Sequence, residues 1–146
     1  MQKFLEKTLE TYCLPPIQRS GVCIHETSHV QHLYEAFEGT LKPAVHEQTL
    51  LTQLHPTPAL CGTPKEKAFA TIRELEPFDR GYFGGAIGWS SIEKSEWIVG
   101  IRSCIIQGNR ATLFSGTGIV KGSDPHREWE ELNDKLKLYD SIFFFG

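Results

Sequence analysis

At 146 residues, with 40% hydrophobic and 23% charged, the chain has the size and make-up of one ordinary globular domain with a real core. A formal net charge of −3 excludes the basic field that binds nucleic acid or an anionic membrane surface. Cys13, Cys23, Cys61 and Cys104 are scattered without CxxC spacing, no apolar run reaches membrane-spanning length, and residues 1–7 lack the apolar core of a signal peptide; free buried thiols in a cytoplasmic protein are expected.

Phe4, Leu5, Leu9 and Tyr12 recur at helical spacing and predict an amphipathic helix over 2–12, ended by Pro15-Pro16. Residues 20–41 mix β-branched and aromatic residues with polar ones and close at Gly39, a strand-and-loop pattern, and residues 47–54 read as helix. His55-Pro56-Thr57-Pro58 cannot lie inside a helix, because two prolines remove donors and push their predecessors toward extended geometry; a rigid loop is expected. Thr63-Pro64-Lys65-Glu66 reads as a helix start, with Thr63 as cap, Pro64 at the first helical position and Glu66 closing a capping box. Ala68, Phe69, Ile72 and Leu75 make its apolar stripe, and Pro77 stops it.

Residues 81–89 read as a glycine-rich strand. Residues 97–107 and 110–120 read as two strands joined by a turn at Gly108-Asn109. Ser123-Asp124-Pro125 opens a last helix that runs to about Tyr139. No repeat, low-complexity tract or linker interrupts the chain, so it reads as one compact unit or a piece of one.

Several residue patterns bear on chemistry. Glu128, Glu131 and Lys135 are spaced by three and four, which projects them from one helix face. Two carboxylates so placed suit a hard cation such as Mg²⁺, and a lysine one turn on suits a substrate carboxylate; the same spacing also describes a solvated face with one ion pair. Arg102 lies in an apolar run, Ile98-Val99-Gly100-Ile101 before it and Cys104-Ile105-Ile106 after it. Inside a strand it would need an anion for its planar fork; on a solvent face it would need none. Gly116 and Gly118, on the facing strand, indicate either close approach by a ligand or backbone, or a bulge. His25-Glu26-Thr27-Ser28-His29 matches HExxH, but its flanks read as strand or loop and no third ligand follows, which speaks against a zinc protease. His32, alone in Val30-Gln31-His32-Leu33, is of the kind most often structural.

A longer pattern runs in order through the chain. It comprises Val30-Gln31-His32-Leu33, Leu54 to Leu60, Glu74 to Arg80, Gly84-Gly85-Ala86-Ile87-Gly88-Trp89, Ile101-Arg102, Leu113-Phe114-Ser115-Gly116-Thr117-Gly118-Ile119-Val120, and Ser123 to Lys135. In this the chain resembles the isochorismate synthases among the chorismate-utilising enzymes. The loop at Pro56 to Leu60 favours them over anthranilate and aminodeoxychorismate synthases, which carry a Pro-Ala-Gly-Thr-type loop there.

The resemblance implies an α+β fold of the anthranilate/aminodeoxychorismate synthase-like type, an antiparallel sheet wrapped by helices. Residues 1–146 would form the C-terminal part of the chorismate-binding domain. It implies Mg²⁺-dependent isomerisation of chorismate to isochorismate in menaquinone or siderophore synthesis. Glu131 and Glu128 would hold Mg²⁺, Arg102 the enolpyruvyl carboxylate, and the Gly116 N–H a carboxylate oxygen. Lys135 would add positive charge, and His32, Ala59 and Phe83 would line the pocket. The family's base, acid and a further Mg²⁺-binding glutamate lie upstream of the region matching Met1. A separate N-terminal half is therefore an expected partner, with unpaired strand edges and exposed apolar faces in its absence. The alternative is a non-catalytic remnant or interaction fragment of the same family.

Overall fold

The structure, a computed structural model, describes residues 1–26 and 31–143. The chain gathers into two compact units, Met1–His55 and Pro56–Gly146.

The first unit runs α1 (Gln2–Tyr12), β1 (Cys13–Arg19), β2 (Cys23–Glu26), β3 (Gln31–Tyr34), β4 (Phe37–Leu41) and α2 (Glu47–Leu54). Both helices form where the sequence places them. Pro15-Pro16 lies inside β1, which pairs antiparallel with β4 from Cys13 opposite Leu41 to Arg19 opposite Phe37, with the register broken between Leu14 and Gln18. A two-stranded ladder with a bulge tolerates prolines because it leaves a free edge. Gly39 lies within β4 and does not close the segment.

Arg19 ties this unit together. Its Nε donates to Glu35 Oε1 at 2.8 Å, its Nη1 pairs with Glu6, and its guanidinium lies 5.1 Å from the centroid of the Phe37 ring. Gln2 also donates to Glu35, at 2.7 Å. These bonds, Arg19's first, hold the Glu35 carboxyl below its ordinary pKa.

In the β2–β3 hairpin His25 stands opposite His32, and His25 and Glu26 are consecutive strand residues, so their side chains leave on opposite faces. The helical geometry of a zinc-protease HExxH is absent there, and His29 lies outside the described residues. Among the described residues no cluster of three or more His, Cys, Asp or Glu is placed to hold a metal.

The second unit runs α3 (Pro58–Cys61), α4 (Lys65–Leu75), β5 (Ala86–Ser90), β6 (Ser95–Val99), β7 (Ser103–Gln107), β8 (Arg110–Phe114) and α5 (Pro125–Phe143). The expected loop at His55–Pro58 gives way to helix at Pro58, which is permitted because a first-turn proline loses no intrahelical bond. Thr63 does not cap α4. Pro64 holds the N-cap position in an extended conformation, and no side chain closes a cap bond. The glycine-rich strand starts only at Ala86, after a turn at 81–84.

The apolar run 97–107 is broken. β6 ends at Val99, and Gly100 is bound into the preceding segment, its N–H donating to Gly85 O at 2.8 Å and its carbonyl accepting from Gly84 N–H at 2.7 Å. A Cβ at Gly100 would stand 2.8 Å from Tyr82 O, so glycine is required there by close backbone approach. Arg102 follows in the connection to β7 with φ +51, and it is exposed, not enclosed in a strand. The hairpin β7–β8 forms as expected around Gly108, with Gln107 opposite Arg110. β8 ends at Phe114, so Gly116 and Gly118 lie in the loop that follows and not on a strand. Asp124 caps α5 by accepting the Arg127 N–H at 3.0 Å.

The described strands pair as four separate two-stranded antiparallel sheets, β1–β4, β2–β3, β5–β6 and β7–β8. Together with the helices they give the expected α+β make-up. The buried hydrophobic residues among those described are Cys13, Cys61 and Tyr139. Cys13 and Cys61 are the buried thiols foreseen, Cys104 is half-buried, and Cys23 is exposed, contrary to that expectation. In β5–β6, Ile87, Trp89 and Ile98 share one face and Trp97 and Val99 the other. Exposure runs from 37% at Val99 to 62% at Ile98, so neither face is covered. No described helix is long and apolar enough to cross a membrane.

Candidate functional site

Five sequence candidates meet in the second unit. Ala59, Phe83, Arg102, Gly116 and Lys135 line one cavity of about 350 Å³, a volume within the usual range for a small ligand. Its apolar wall is built from Phe83 and Phe114, stacked with centroids 5.6 Å apart and planes at 13°. Gly116 passes against this wall; a Cβ there would come within 3.2 Å of Phe83 Cζ. The missing side chain at 116 thus makes room for the aromatic ring, whatever its N–H binds.

Among the described residues three cations border the cavity, namely Arg80, Arg102 and Lys135, and no carboxylate or histidine is among the described lining residues. Arg80 is gripped bidentately by Glu76, with Nε to Oε2 at 2.7 Å and Nη2 to Oε1 at 2.5 Å. Its Nη1 reaches the Leu60 carbonyl at 3.5 Å, and its guanidinium lies 6.0 Å from the Phe83 centroid. Arg80 therefore joins the end of α3 to the aromatic wall. The Glu76 bond is the main cause of its raised pKa. Arg102 enters from its left-handed turn. Tyr139, buried on α5, donates to the Ser103 carbonyl at 3.0 Å, and burial pushes its hydroxyl pKa up.

On α5, Glu128, Leu132, Lys135, Leu136 and Tyr139 form the covered stripe, at spacings of four, three, one and three, while Glu131 lies at its exposed edge. Lys135 Nζ donates to Glu131 Oε1 at 2.5 Å and to the Gly116 carbonyl at 2.9 Å. Glu128 Oε2 accepts a hydrogen bond from the Thr117 hydroxyl; that bond first, and one from Ser123 second, hold its carboxyl below the ordinary range. Ser115 Oγ contacts the Leu132 carbonyl at 3.4 Å. The loop 115–123 is thereby fastened along α5.

The chemistry of this donor set fits Mg²⁺ in part. Glu128 and Glu131 are hard oxygen ligands one turn apart, and Mg²⁺ usually takes one or two protein carboxylates, keeping waters and substrate oxygens for the rest. Neither is a lining residue of the cavity, although Thr117, which holds Glu128, is one. His32 belongs to β3 in the first unit, and its side chain lies outside the described residues.

Reading the sequence missed Arg80, Thr57, Phe114, Thr117 and Tyr139, all of which line the cavity. Arg80 carried a signal, since Glu76 lies four residues before it, but the intervening Pro77 hid the pair from helix-based reasoning. Tyr139 carried one too, as part of the apolar stripe of the last helix.

The family model described as "Chorismate binding enzyme" matches residues 1–142. The chain is similar to isochorismate synthase 2 of Arabidopsis thaliana chloroplasts, with 41% identity over 136 residues, which is 92% of this chain and 24% of that protein. It is also similar to isochorismate synthase MenF of Bacillus subtilis, with 46% identity over 118 residues, 80% of this chain and 25% of that protein. The solved structure of MenF, the menaquinone-specific isochorismate synthase from Escherichia coli, superposes with a TM-score of 0.87 at 32% identity, covering 97% of this chain and 32% of that one. The chain thus spans about a quarter of the length of these curated relatives.

Proposed function

The chain belongs to the chorismate-binding enzyme family, and from that premise we propose that its cavity is the anion-binding part of an isochorismate synthase site. Chorismate, a dicarboxylate, is the proposed ligand, isochorismate the proposed product, and menaquinone or siderophore synthesis the proposed use. The observation that carries this reading is a cavity bordered by three cations and a stacked aromatic pair, with no acid among its described lining residues.

In this reading Arg102 offers its fork to the enolpyruvyl carboxylate, the Gly116 N–H meets a carboxylate oxygen, and Phe83 lies against the ring. Lys135 supplies positive potential while its bond to the Gly116 carbonyl orients that peptide. Arg80 is neutralised by Glu76 and works as a brace for Leu60 and Phe83. Glu128 and Glu131 would hold Mg²⁺, which when bound neutralises and positions the ring carboxylate.

The isomerisation adds water at ring C2 and expels the C4 hydroxyl, so it needs a base and an acid. Among the described residues no carboxylate or imidazole borders the cavity to serve either role. We take these groups to come from another part of the enzyme, carried by a separate N-terminal half. The exposed strand faces of β5–β6 support such a partner, because apolar faces of this kind are usually covered in a working protein. The same lack of proton-transfer groups favours, as the second reading, a non-catalytic fragment that keeps the architecture.

Incubation of the purified chain with chorismate and Mg²⁺, alone and with a candidate N-terminal half, followed by chromatography, separates the two. Isochorismate only in the reconstituted mixture is the expected result. No product in any combination leaves the fragment reading, and an ammonia-dependent product overturns the choice of isochorismate synthase. In the reconstituted enzyme Glu131→Gln raises the Mg²⁺ requirement sharply, whereas Glu93→Gln, in the turn between β5 and β6, has almost no effect; equal effects remove Glu131 from the metal site.

A further inference from the structure

The loop after β8 carries one side chain that serves two surfaces. Thr117 lies between Gly116 and Gly118, lines the cavity, and donates its hydroxyl proton to Glu128 Oε2. Glu128 stands in the first turn of α5 on the covered stripe of that helix. Thr117 is β-branched, so its χ1 has few choices, and its hydroxyl is a directional partner for the carboxylate. The backbone around it is fixed independently. Gly116 O accepts from Lys135 on one side, and Ser123 Oγ accepts the Val120 N–H on the other.

We propose that Thr117 is a positioning residue for the divalent cation: together with Ser123, which also bonds the carboxyl, it fixes the rotamer of Glu128 before a metal arrives. This rests on the Mg²⁺ reading above. A carboxylate left to rotate would have to be ordered by the cation itself, at an entropic cost that lowers affinity. A hydroxyl that orders it beforehand removes that cost. Because Thr117 also borders the cavity, its hydroxyl joins the loop that lines the anion pocket to the acid that would take the cation.

The test uses Mn²⁺ as a spectroscopic stand-in for Mg²⁺, with binding to the chain reconstituted with an N-terminal half followed by electron paramagnetic resonance. Thr117→Val keeps the shape and removes the hydroxyl, and loss of one hydrogen bond to a charged group corresponds to an affinity about tenfold lower. Thr117→Ser restores the hydroxyl and stays within about twofold of the parent. Glu128→Gln, measured alongside, reports on the metal site itself. If Glu128→Gln weakens Mn²⁺ binding and Thr117→Val does not, the positioning role is wrong and the metal site stands. If Thr117→Ser falls as far as Thr117→Val, the hydroxyl is not the cause and the proposal is overturned. If the reconstituted parent takes no Mn²⁺ at all, the Mg²⁺ reading and this proposal fall together. Thermal unfolding of each variant, expected to match the parent, separates loss of the cation from loss of fold.

Discussion

Each unit gathers positive charge, and the two do so in opposite ways. In the first, Arg19 is surrounded by Glu6, Glu35 and the Phe37 ring, so its charge is spent on holding α1, β1 and β4 in place. In the second, Arg80, Arg102 and Lys135 border a cavity, while Glu76 and Glu131, the acids that pair with Arg80 and Lys135, are not among its lining residues. A paired arginine and a site arginine look alike in a sequence. The difference lies in whether the acids share the surface that the cation presents.

The strongest way to break the contrast is Arg102→Ala against Arg19→Ala. Truncating one partner of a charged contact in a binding site typically costs at least about 2 kcal/mol, so on the proposed function Arg102→Ala weakens chorismate binding by about thirtyfold or more. Titration calorimetry of the reconstituted enzyme checks this. Arg19→Ala lowers the melting temperature and leaves affinity unchanged; a comparable affinity loss in both erases the distinction.

A smaller effect sharpens the role of Arg80. Glu76→Gln keeps the volume of the side chain and removes one charge of the fork, costing about 1 kcal/mol of stability. The urea midpoint falls at constant slope. Ligand affinity changes little if Arg80 is a brace, and rises if the released guanidinium joins the anion site.

The smallest effect is one of pH, in the first unit. Glu35 is depressed in the folded state relative to its ordinary value of 4.5, chiefly by Arg19. A depressed carboxyl stabilises the fold above the unfolded pKa and loses that contribution as pH falls through the lower folded value. Acid titration followed by the Glu35 carboxyl ¹³C shift therefore gives a midpoint below 4.5 in the parent and one nearer 4.5 in Arg19→Ala.

Helical spacing was legible wherever tertiary contacts agreed with it. α1 and α2 begin and end at the residues the apolar pattern marks, and the Gly108-Asn109 turn sits where a hairpin needs it. The pattern failed where backbone contacts between distant residues decide. Nothing local in Ile98 to Ile106 shows that Gly100 is bound to Gly84 and Gly85, so the run read as one strand, and Arg102 as a strand residue. The same blindness placed Gly116 and Gly118 on β8. At the N-terminus of α4, Thr63 read as the cap and Pro64 as the first helical residue, but the helix starts one residue later, with Pro64 at the N-cap. Ala59, Phe83, Arg102, Gly116 and Lys135, named through an ordered resemblance over much of the chain, nevertheless line one cavity. Arg80 and Tyr139 escaped because they touch the cavity from elements whose mutual packing no short motif encodes.

The left-handed backbone at Arg102 sets evolution against thermodynamics at a single codon. A residue with a Cβ pays on the order of 1 kcal/mol to sit at φ +51, and glycine would not. On the proposed function, Arg102→Gly is thus a change that a selection for heat resistance would welcome and a selection for ligand binding would discard. Thermostability screening of this chain therefore calls for a ligand-binding assay in the same round.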